Sequence, residues 1–528
     1  MKPMMVVGLL LLGVLRFATP IAQECASSAS ARSSVRVEYD ARTSVPGHVG
    51  AVVYARSDNG ELTARDEESG EVLWGFRAPE LAAAAAPTGL MTDLAVLRFD
   101  ANGDGVIEAS AGDRVWLYFG LERGGPYYYA LDVSARTPRM LWKAGADSLE
   151  GLGDAWSTPT VARVRVARSA QNGEHFVLFI GGGFVRGSPA TGNRIMMLDA
   201  ATGRLLWSAG ADADNDRVLA HMTHGIAARV AALDTDGDGF TDRLYTADTG
   251  GRVWRFDVWN GKGRDELVTG GMIASLGIAE PLPAPAASSS ASARRFFNAP
   301  DATLMAPRGE NAWYNLSIGS GDGDDVLSTV VRNRFYSLRD REPFAKRSEA
   351  SYDSATPVFD ADLTDITASP LGTRISDASP GWKLDLDGAV LAESLTANGV
   401  VLFTVYRPEA GVDGAGCDAD GTNRVFAVKV DSGDAALDLN GDSQITQADR
   451  SAALRQRGIA VEPRIDLSIV PPRTPGTPAT PGNPDAPGGS GNDFASTTAR
   501  CFIGAELMNQ CVPLDTVLRT YWKRMSVN

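Results

Sequence analysis

Residues 234–242 read Asp-Thr-Asp-Gly-Asp-Gly-Phe-Thr-Asp, which places four carboxylates within nine residues. Charges that close repel one another unless a cation neutralises them. A hard divalent ion held by flexible oxygen ligands, calcium above all, suits that composition. Asp234, Asp236, Asp238 and Asp242 stand at loop positions 1, 3, 5 and 9, Gly239 permits a tight turn, and the Phe240 carbonyl falls at position 7. Asp-Gly pairs also build ordinary hairpin turns. Such a turn needs one pair, however, and gains nothing from Asp234 and Asp242. The expectation is a calcium loop, though not an EF-hand. Position 12 is Tyr245, and the flanks Ala227–Ala232 and Arg243–Ala247 read as short strands with the loop at their hairpin tip.

Two further acidic loops share the pattern. Asp100, Asn102, Asp104 and Glu108 occupy positions 1, 3, 5 and 9 of the first, with the Val106 carbonyl between them; Ala111 stands at position 12 and Asp113 lies close. The second offers Asp438, Asn440, Asp442, the Gln444 carbonyl and Asp449 at position 12, with Ser443 where a glycine is usual. Thr446 is placed to cap a short helix running through Asp449 to Arg455. Catalytic chemistry is harder to find. His48, His175, His221 and His224 form no acid–base set. The i, i+3 spacing of His221 and His224 hints at a metal, but polar residues at a strand entrance explain it more simply. Gly181–Gly183 is followed by neither Lys-Ser/Thr nor a helix, so close strand packing accounts for it better than a phosphate. No catalytic residue is expected.

These loops need a scaffold, and a recurring phrase supplies one. A β-rich run, a Leu-Asp or similar step, a small-residue turn and an apolar step ending in Trp appear at Glu61–Trp74, Tyr127–Trp142 and Asn193–Trp207. Shortened or worn copies follow at Gly251–Gly261, Asn333–Asp340 and Asn423–Gly433. Each phrase reads as a β-hairpin, and the alternation of Arg252, Trp254 and Phe256 with Val253, Arg255 and Asp257 puts one face in the core. A single such sheet cannot bury both faces, so several must stack. They stack either radially or as a solenoid, and the all-β fold expected is radial closure into a β-propeller with loop insertions, the alternative being unrelated hairpins in a β-sandwich.

The chain has 528 residues, 44% of them apolar, 56 glycines and a net charge of −15. The acidity argues against nucleic acid as a partner. Lys2 and the apolar run Met4–Leu15 fit a secretory signal better than a membrane span. The organisation expected is a signal peptide over 1–22, an N-terminal segment over 23–48, the propeller with its calcium loops over 49–470, a Pro/Gly/Thr-rich linker over 471–492, and a C-terminal segment over 493–528. The Pro/Ala/Ser-rich stretch Pro281–Ala293 reads as a surface insertion. Cys25, Cys417, Cys501 and Cys511 lack any C-x-x-C spacing, and in an exported protein disulfides are their default state. Cys501 and Cys511 can pair locally, and Cys25 with Cys417 would complete the set.

The stretches Gly112–Val133, Gly153–Val164, Phe179–Phe184, Gly192–Trp207, Leu233–Val258 and Ser317–Asp322 together resemble the C-terminal propeller region of the PilY family of type IV pilus biogenesis proteins and tip-associated adhesins. Leu233–Val258 is the most specific match. The resemblance implies an exported, quinoprotein-like β-propeller, expected to have seven irregular blades, at the periplasm or outer cell surface, associated with minor pilins and the pilus assembly machinery and not integral to the membrane. It implies that the loop matching Asp234–Asp242 binds calcium and controls pilus extension and retraction, twitching motility and adhesion to host or abiotic surfaces. Longer members carry an N-terminal von Willebrand A-like region, whereas this sequence is expected to start almost directly with the propeller, so an adhesive or force-sensing role located in that region is not expected of it. The alternative is a pyrroloquinoline-quinone-dependent dehydrogenase, which shares the propeller and calcium. The adjacent-cysteine pair of many such enzymes has no counterpart here, and a non-enzyme is expected.

Overall fold

The computed structural model describes residues 34–39, 51–57, 60–82, 91–103, 107–135, 137–167, 174–188, 190–277, 293–307, 311–409, 421–456, 458–459, 462–470, 496–503, 506–508 and 510–512. They form seven sheets, antiparallel but for a short parallel edge strand on three of them, that follow one another along the chain as the blades of a β-propeller. Blade 1 is Ser34–Glu38, Ala51–Arg56, Glu61–Asp66 and Val72–Arg77, and blade 2 is Ala95–Phe99, Arg114–Gly120, Tyr127–Asp132 and Arg139–Gly145. Blade 3 is Thr160–Arg165, Glu174–Gly181, Arg194–Asp199 and Leu205–Gly210, edged in parallel by Arg217–Val218. Blade 4 is Ala231–Leu233, Arg243–Ala247, Arg252–Val258 and Val268–Ser275, and blade 5 is Asp301–Met305, Trp313–Gly319, Arg334–Asp340 and Gly381–Asp385. Blade 6 is Leu395–Ala397, Val400–Arg407, Thr422–Lys429 and Ser451–Leu454, and blade 7 is Pro463–Val470, Ser496–Ile503 and Glu506–Leu507. Blade 1 thus takes in residues ahead of the boundary expected at 49, and blade 7 takes in residues on both sides of the expected linker.

The hydrophobic cores lie between blades, because successive side chains of a strand point to opposite faces. Along Arg114–Gly120, Val115, Leu117 and Phe119 pack with blade 1, whereas Trp116 and Tyr118 pack with Leu178, Ile180, Met196 and Leu198 of blade 3. The same sharing runs from blade 3 to 4 through Trp207 and Phe256, from 4 to 5 through Tyr245 and Leu316, from 5 to 6 through Trp382 and Phe403, and from 6 to 7 through Leu402 and Cys501. Cys501 is joined to Cys511 by a disulfide. Burying one large apolar side chain contributes about 1.5–3 kcal/mol, so each blade depends on its neighbours for most of its stability.

The recurring phrase is the third and fourth strands of a blade, with one shared irregularity. Ala64 faces Trp74 while Arg65 faces Val72; Ala130 faces Trp142 while Leu131 faces Met140; Met197 faces Trp207 while Leu198 faces Leu205. One extra residue on the fourth strand makes a bulge beside each tryptophan and increases the local twist. The tryptophan then reaches the next blade: Trp142 Nε1 donates to the Ala200 carbonyl at 2.9 Å, and Trp382, on the unbulged fourth strand of blade 5, donates likewise to that of Val430 at 2.7 Å. In the turns between, Asp199 Oδ1 accepts from the Ala201 and Thr202 amides and the Thr202 hydroxyl.

Two local expectations are corrected. The strand before the main acidic loop is Ala231–Leu233, not Ala227–Ala232, since residues 227–230 belong to the link from blade 3. Arg252–Val258 is buried on both faces. Trp254, Phe256 and Val258 face blade 3, while Val253 packs with blade 5 and Arg255 and Asp257 are engaged by buried charges. No helix among the described residues is long and apolar enough to cross a membrane.

Candidate metal centre

Strand direction alternates within each blade, so the first-to-second and third-to-fourth turns share one face of the ring. Residues 100–113 form a first-to-second turn in blade 2, residues 234–242 the equivalent turn in blade 4, and residues 438–449 a third-to-fourth turn in blade 6. All three acidic loops therefore emerge on the same face, a grouping that their sequence positions do not reveal.

In the blade 4 loop, Asp234 organises the turn. Its Oδ1 accepts from the Gly237 amide at 2.7 Å and its Oδ2 from the Gly239 amide at 2.8 Å. Asp236 and Asp238 each accept from the amide two residues on, at 3.1 and 2.9 Å. The turn requires left-handed backbone at Gly237 and Gly239, with φ of 81° and 85°, a conformation that costs a residue bearing Cβ. Asp242 closes the loop: its Oδ2 accepts from the Thr235 amide and hydroxyl at 3.0 and 3.1 Å. Carboxylate oxygens of Asp234, Asp236 and Asp242 come within 4.8 Å of one another. Asp238 does not join that group.

The loop is anchored from both sides. Thr241 donates its amide to the Arg163 carbonyl at 2.8 Å, and the Arg163 and Arg165 guanidiniums lie 4.7 and 4.1 Å from the centre of the buried Phe240 ring. From blade 5, Lys346 Nζ reaches Asp242 Oδ1 at 2.7 Å and the Val258 carbonyl at 2.8 Å. Burial, together with the charges on Asp242 and Asp238, holds the Asp234 carboxyl above its ordinary range against the pull of the Gly239 and Gly237 amides. At about 4.8 Å two carboxylates repel by roughly 3 kcal/mol at a protein-surface dielectric. Lys346 is paired directly with one of the three carboxylates, so a further cation among them would be electrostatically favoured. The cluster's donors are oxygens only, which fits calcium rather than a softer metal.

The blade 6 loop repeats the scaffold. Asp438 accepts from the Gly441 and Ser443 amides, both at 2.7 Å, Asn440 Oδ1 from the Asp442 amide and Asp442 Oδ1 from the Gln444 amide, both at 2.8 Å. Ser443 adopts φ of 68°, the conformation glycine supplies elsewhere. Asp449 is buried, and its Oδ2 accepts from the Thr446 amide and hydroxyl, both at 2.9 Å. The helix expected to reach Arg455 is a short 3₁₀ turn, Gln447–Arg450, cut off by the strand Ser451–Leu454, which is needed as the outer edge of blade 6.

In the blade 2 loop the Gly103 amide donates to Asp100 Oδ1 at 2.7 Å, while Asp104 and Val106 lie outside the described residues, as do Cys25, Cys417 and the segments 1–22 and 471–492. The Glu108 side chain accepts from the Ser110 hydroxyl at 2.8 Å. The closing acid is Asp113, which accepts from the Ala101 amide at 2.7 Å and the Glu108 amide at 2.8 Å. Asp113 thus takes the part that Asp242 plays in blade 4. Asp113 is buried, whereas Asp100 and Glu108 are half-buried, a difference that spacing in the sequence does not signal.

The opposite face is built differently. Trp156, Phe184 and Phe297 pack edge to face with centroids 5.3–6.0 Å apart, and Arg123 lies 4.7 Å from the Trp156 ring centre. Asp324 of blade 5 pairs with Arg123 of blade 2 at 2.9 Å and with Arg186 of blade 3 at 2.8 Å. Blades 2 and 5 are not neighbours in the ring, so these side chains meet over its axis. His224 is engaged by Arg252 at 2.8 Å and Thr223 at 3.1 Å, and so reads as a structural residue. A Cβ on Gly183 would lie 2.0 Å from the Asp154 carbonyl, which accounts for the glycine run by close packing.

No family model matches the chain. A type IV pilus biogenesis factor PilY1 homologue of Xylella fastidiosa is 24% identical over 430 residues, covering 73% of this chain and 26% of the relative. Type IV pilus biogenesis factor PilY1 of Pseudomonas aeruginosa (strain UCBPP-PA14) is 24% identical over 330 residues, covering 54% of this chain and 27% of its own length. The chain spans about a quarter of these curated relatives. The crystal structure of the Pseudomonas aeruginosa PilY1 C-terminal domain superposes with a TM-score of 0.56 at 16% identity, covering 90% of this chain and 98% of that domain. The chain thus has the β-propeller fold of the PilY1 C-terminal domain, and its sequence is similar to those of type IV pilus biogenesis factor PilY1 and its homologue.

Proposed function

We propose that this propeller serves type IV pilus biogenesis as a calcium-binding, non-enzymatic component. Calcium at Asp234, Asp236 and Asp242 stabilises one conformation of the loop face, which pilus components then recognise. The observation that carries the reading is the convergence of those three carboxylates within 4.8 Å. Asp238 and the Phe240 carbonyl are further donors in the same turn, and the loops at Asp438–Asp449 and Asp100–Asp113 are weaker companions. The ion can shift a conformational balance only by binding its two states unequally. Export, extension–retraction control, twitching and surface adhesion follow from the same reading.

A quinone dehydrogenase is less well supported. A planar cofactor on the ring axis would have to displace the Trp156–Phe184–Phe297 cluster and the Asp324 ion pairs. The test is calcium titration of the purified protein alongside pilus display in cells, for wild type and Asp242→Ala. Calcium affinity unchanged by the substitution rejects the site. Lost affinity with normal pili detaches the site from pilus control, and quinone-dependent dye reduction would revive the enzyme.

A further inference from the structure

We propose that Lys346 is a built-in counter-cation of the Asp234–Asp242 loop, and that its ammonium competes with calcium for Asp242 and so sets the concentration at which the loop fills. The inference rests on the calcium reading above and concerns what tunes that site.

Lys346 lies on the link that leaves blade 5 after Arg334–Asp340 and crosses to blade 4, where Val358–Phe359 pairs with the edge of Val268–Ser275. The backbone on either side of the lysine is pinned from below. The Ala345 carbonyl accepts from Arg243 Nη2 at 2.7 Å and Arg255 Nη2 at 2.6 Å, and the Arg347 amide donates to Asp257 Oδ2 at 2.8 Å. Arg243, Arg255 and Asp257 are themselves fully buried. The lysine therefore does not sample the acidic loop by chance. Fixed backbone delivers its ammonium to Asp242 Oδ1 and holds it there through the Val258 carbonyl.

Asp242 is the most buried carboxylate of the convergent three, with 4% of its side chain exposed, whereas the lysine side chain retains 24%. A buried carboxylate gains most from a cation, and a partly exposed ammonium can withdraw to water at modest cost. Asp242 Oδ2 accepts from Thr235 while Oδ1 holds the ammonium, so a calcium ion bound through Oδ1 has to contest it with the lysine. Because the strap backbone is pinned, the exchange moves the lysine side chain and leaves the strap in place. The device sets an affinity and does not act as a lever.

The test is isothermal calcium titration of the full chain for wild type, Lys346→Met and Lys346→Arg, with Asp234→Asn identifying the heat that belongs to this loop. Lys346→Met keeps the apolar stem and removes the charge. It should bind calcium about fivefold tighter at this loop, while Lys346→Arg stays near wild type. Without calcium, Lys346→Met should melt below wild type, and saturating calcium should close that gap. Equal or weaker calcium binding by Lys346→Met overturns the inference while leaving the calcium site standing. A wild type with no calcium heat that Asp234→Asn removes overturns both, and a lowered melting point alone would then mark Lys346 as a plain structural ion pair.

Discussion

The loops at Asp234 and Asp438 are built on the same four hydrogen bonds yet stand in different electrostatic settings. In each, the first acid accepts from the amides three and five residues on, and the third and fifth side chains each accept from the amide two residues on. The blade 4 loop brings three carboxylates together and meets an ammonium from blade 5. The blade 6 loop replaces one acid with Asn440, whose amide donates to Asp442 Oδ2 at 3.1 Å and so quenches part of the charge internally. The turn is thus a portable piece of local chemistry. Its demand for a cation is decided by what surrounds it.

The sharpest way to break this comparison is to remove what holds blade 4 together beneath its loop. Asp257 accepts from Arg243, Arg255, Tyr352 and the Arg347 amide. Asp257→Ala removes one of the two buried carboxylates that Arg243 and Arg255 share, leaving Asp340 as the other, and should cost about 3 kcal/mol in urea denaturation; a loss below about 1 kcal/mol would show that the loops do not differ in their support. Calcium at about a hundred times its dissociation constant should stabilise the protein by about 2.7 kcal/mol. Asp242→Ala should abolish most of the calcium-induced rise in melting temperature, and Asp449→Ala a smaller part. Reversed ranks would make blade 6 the principal site.

Smaller effects separate the turns themselves. Gly239→Ser should destabilise by about 1–2 kcal/mol, since the left-handed backbone there tolerates Cβ poorly. Ser443→Gly at the matching position should gain up to about 1 kcal/mol. Thermal melts of the two variants should therefore move in opposite directions. The least effect is in pH. Asp449 is held below the ordinary carboxylate range, first by the Thr446 amide, so its contribution is present above the unfolded-state value and lost as pH falls through its folded-state value. Asp234 is raised by burial and like charge, so its ionisation opposes folding, and protonation on acidification relieves that opposition. Carboxyl NMR titration without calcium should place Asp234 above Asp449.

Much of this was legible because it is local. The Trp-ending phrase announced the third and fourth strands of blades 1 to 3, since alternation and an Asp-led turn are encoded within about fifteen residues. The Asp234 turn was legible for the same reason. Spacing alone did not show that the neighbouring Asp113 would be the buried acid that accepts from the Ala101 and Glu108 amides. The helix expected after Thr446 gave way to Ser451–Leu454 because blade 6 required an outer strand, and tertiary pairing overrode local propensity. Arg255 and Asp257 looked like the exposed side of a strand. Nothing near them in the chain announces Asp340, which lies 3.0 Å from Arg255 across the blade interface.

What the sequence determined by itself is the turn chemistry: acids spaced to accept their own backbone amides, glycines where φ must be positive, and strands of period two that bury neither face alone. What only the tertiary structure decided is the company those turns keep. It set three acidic loops on one face, brought Lys346 to Asp242 across 104 residues, and gathered Arg123, Arg186 and Asp324 over the axis. The physical reason is range. Hydrogen bonds within a turn are fixed by neighbours in the chain, whereas the balance of charge in a buried cluster depends on every group the fold brings within a few ångströms.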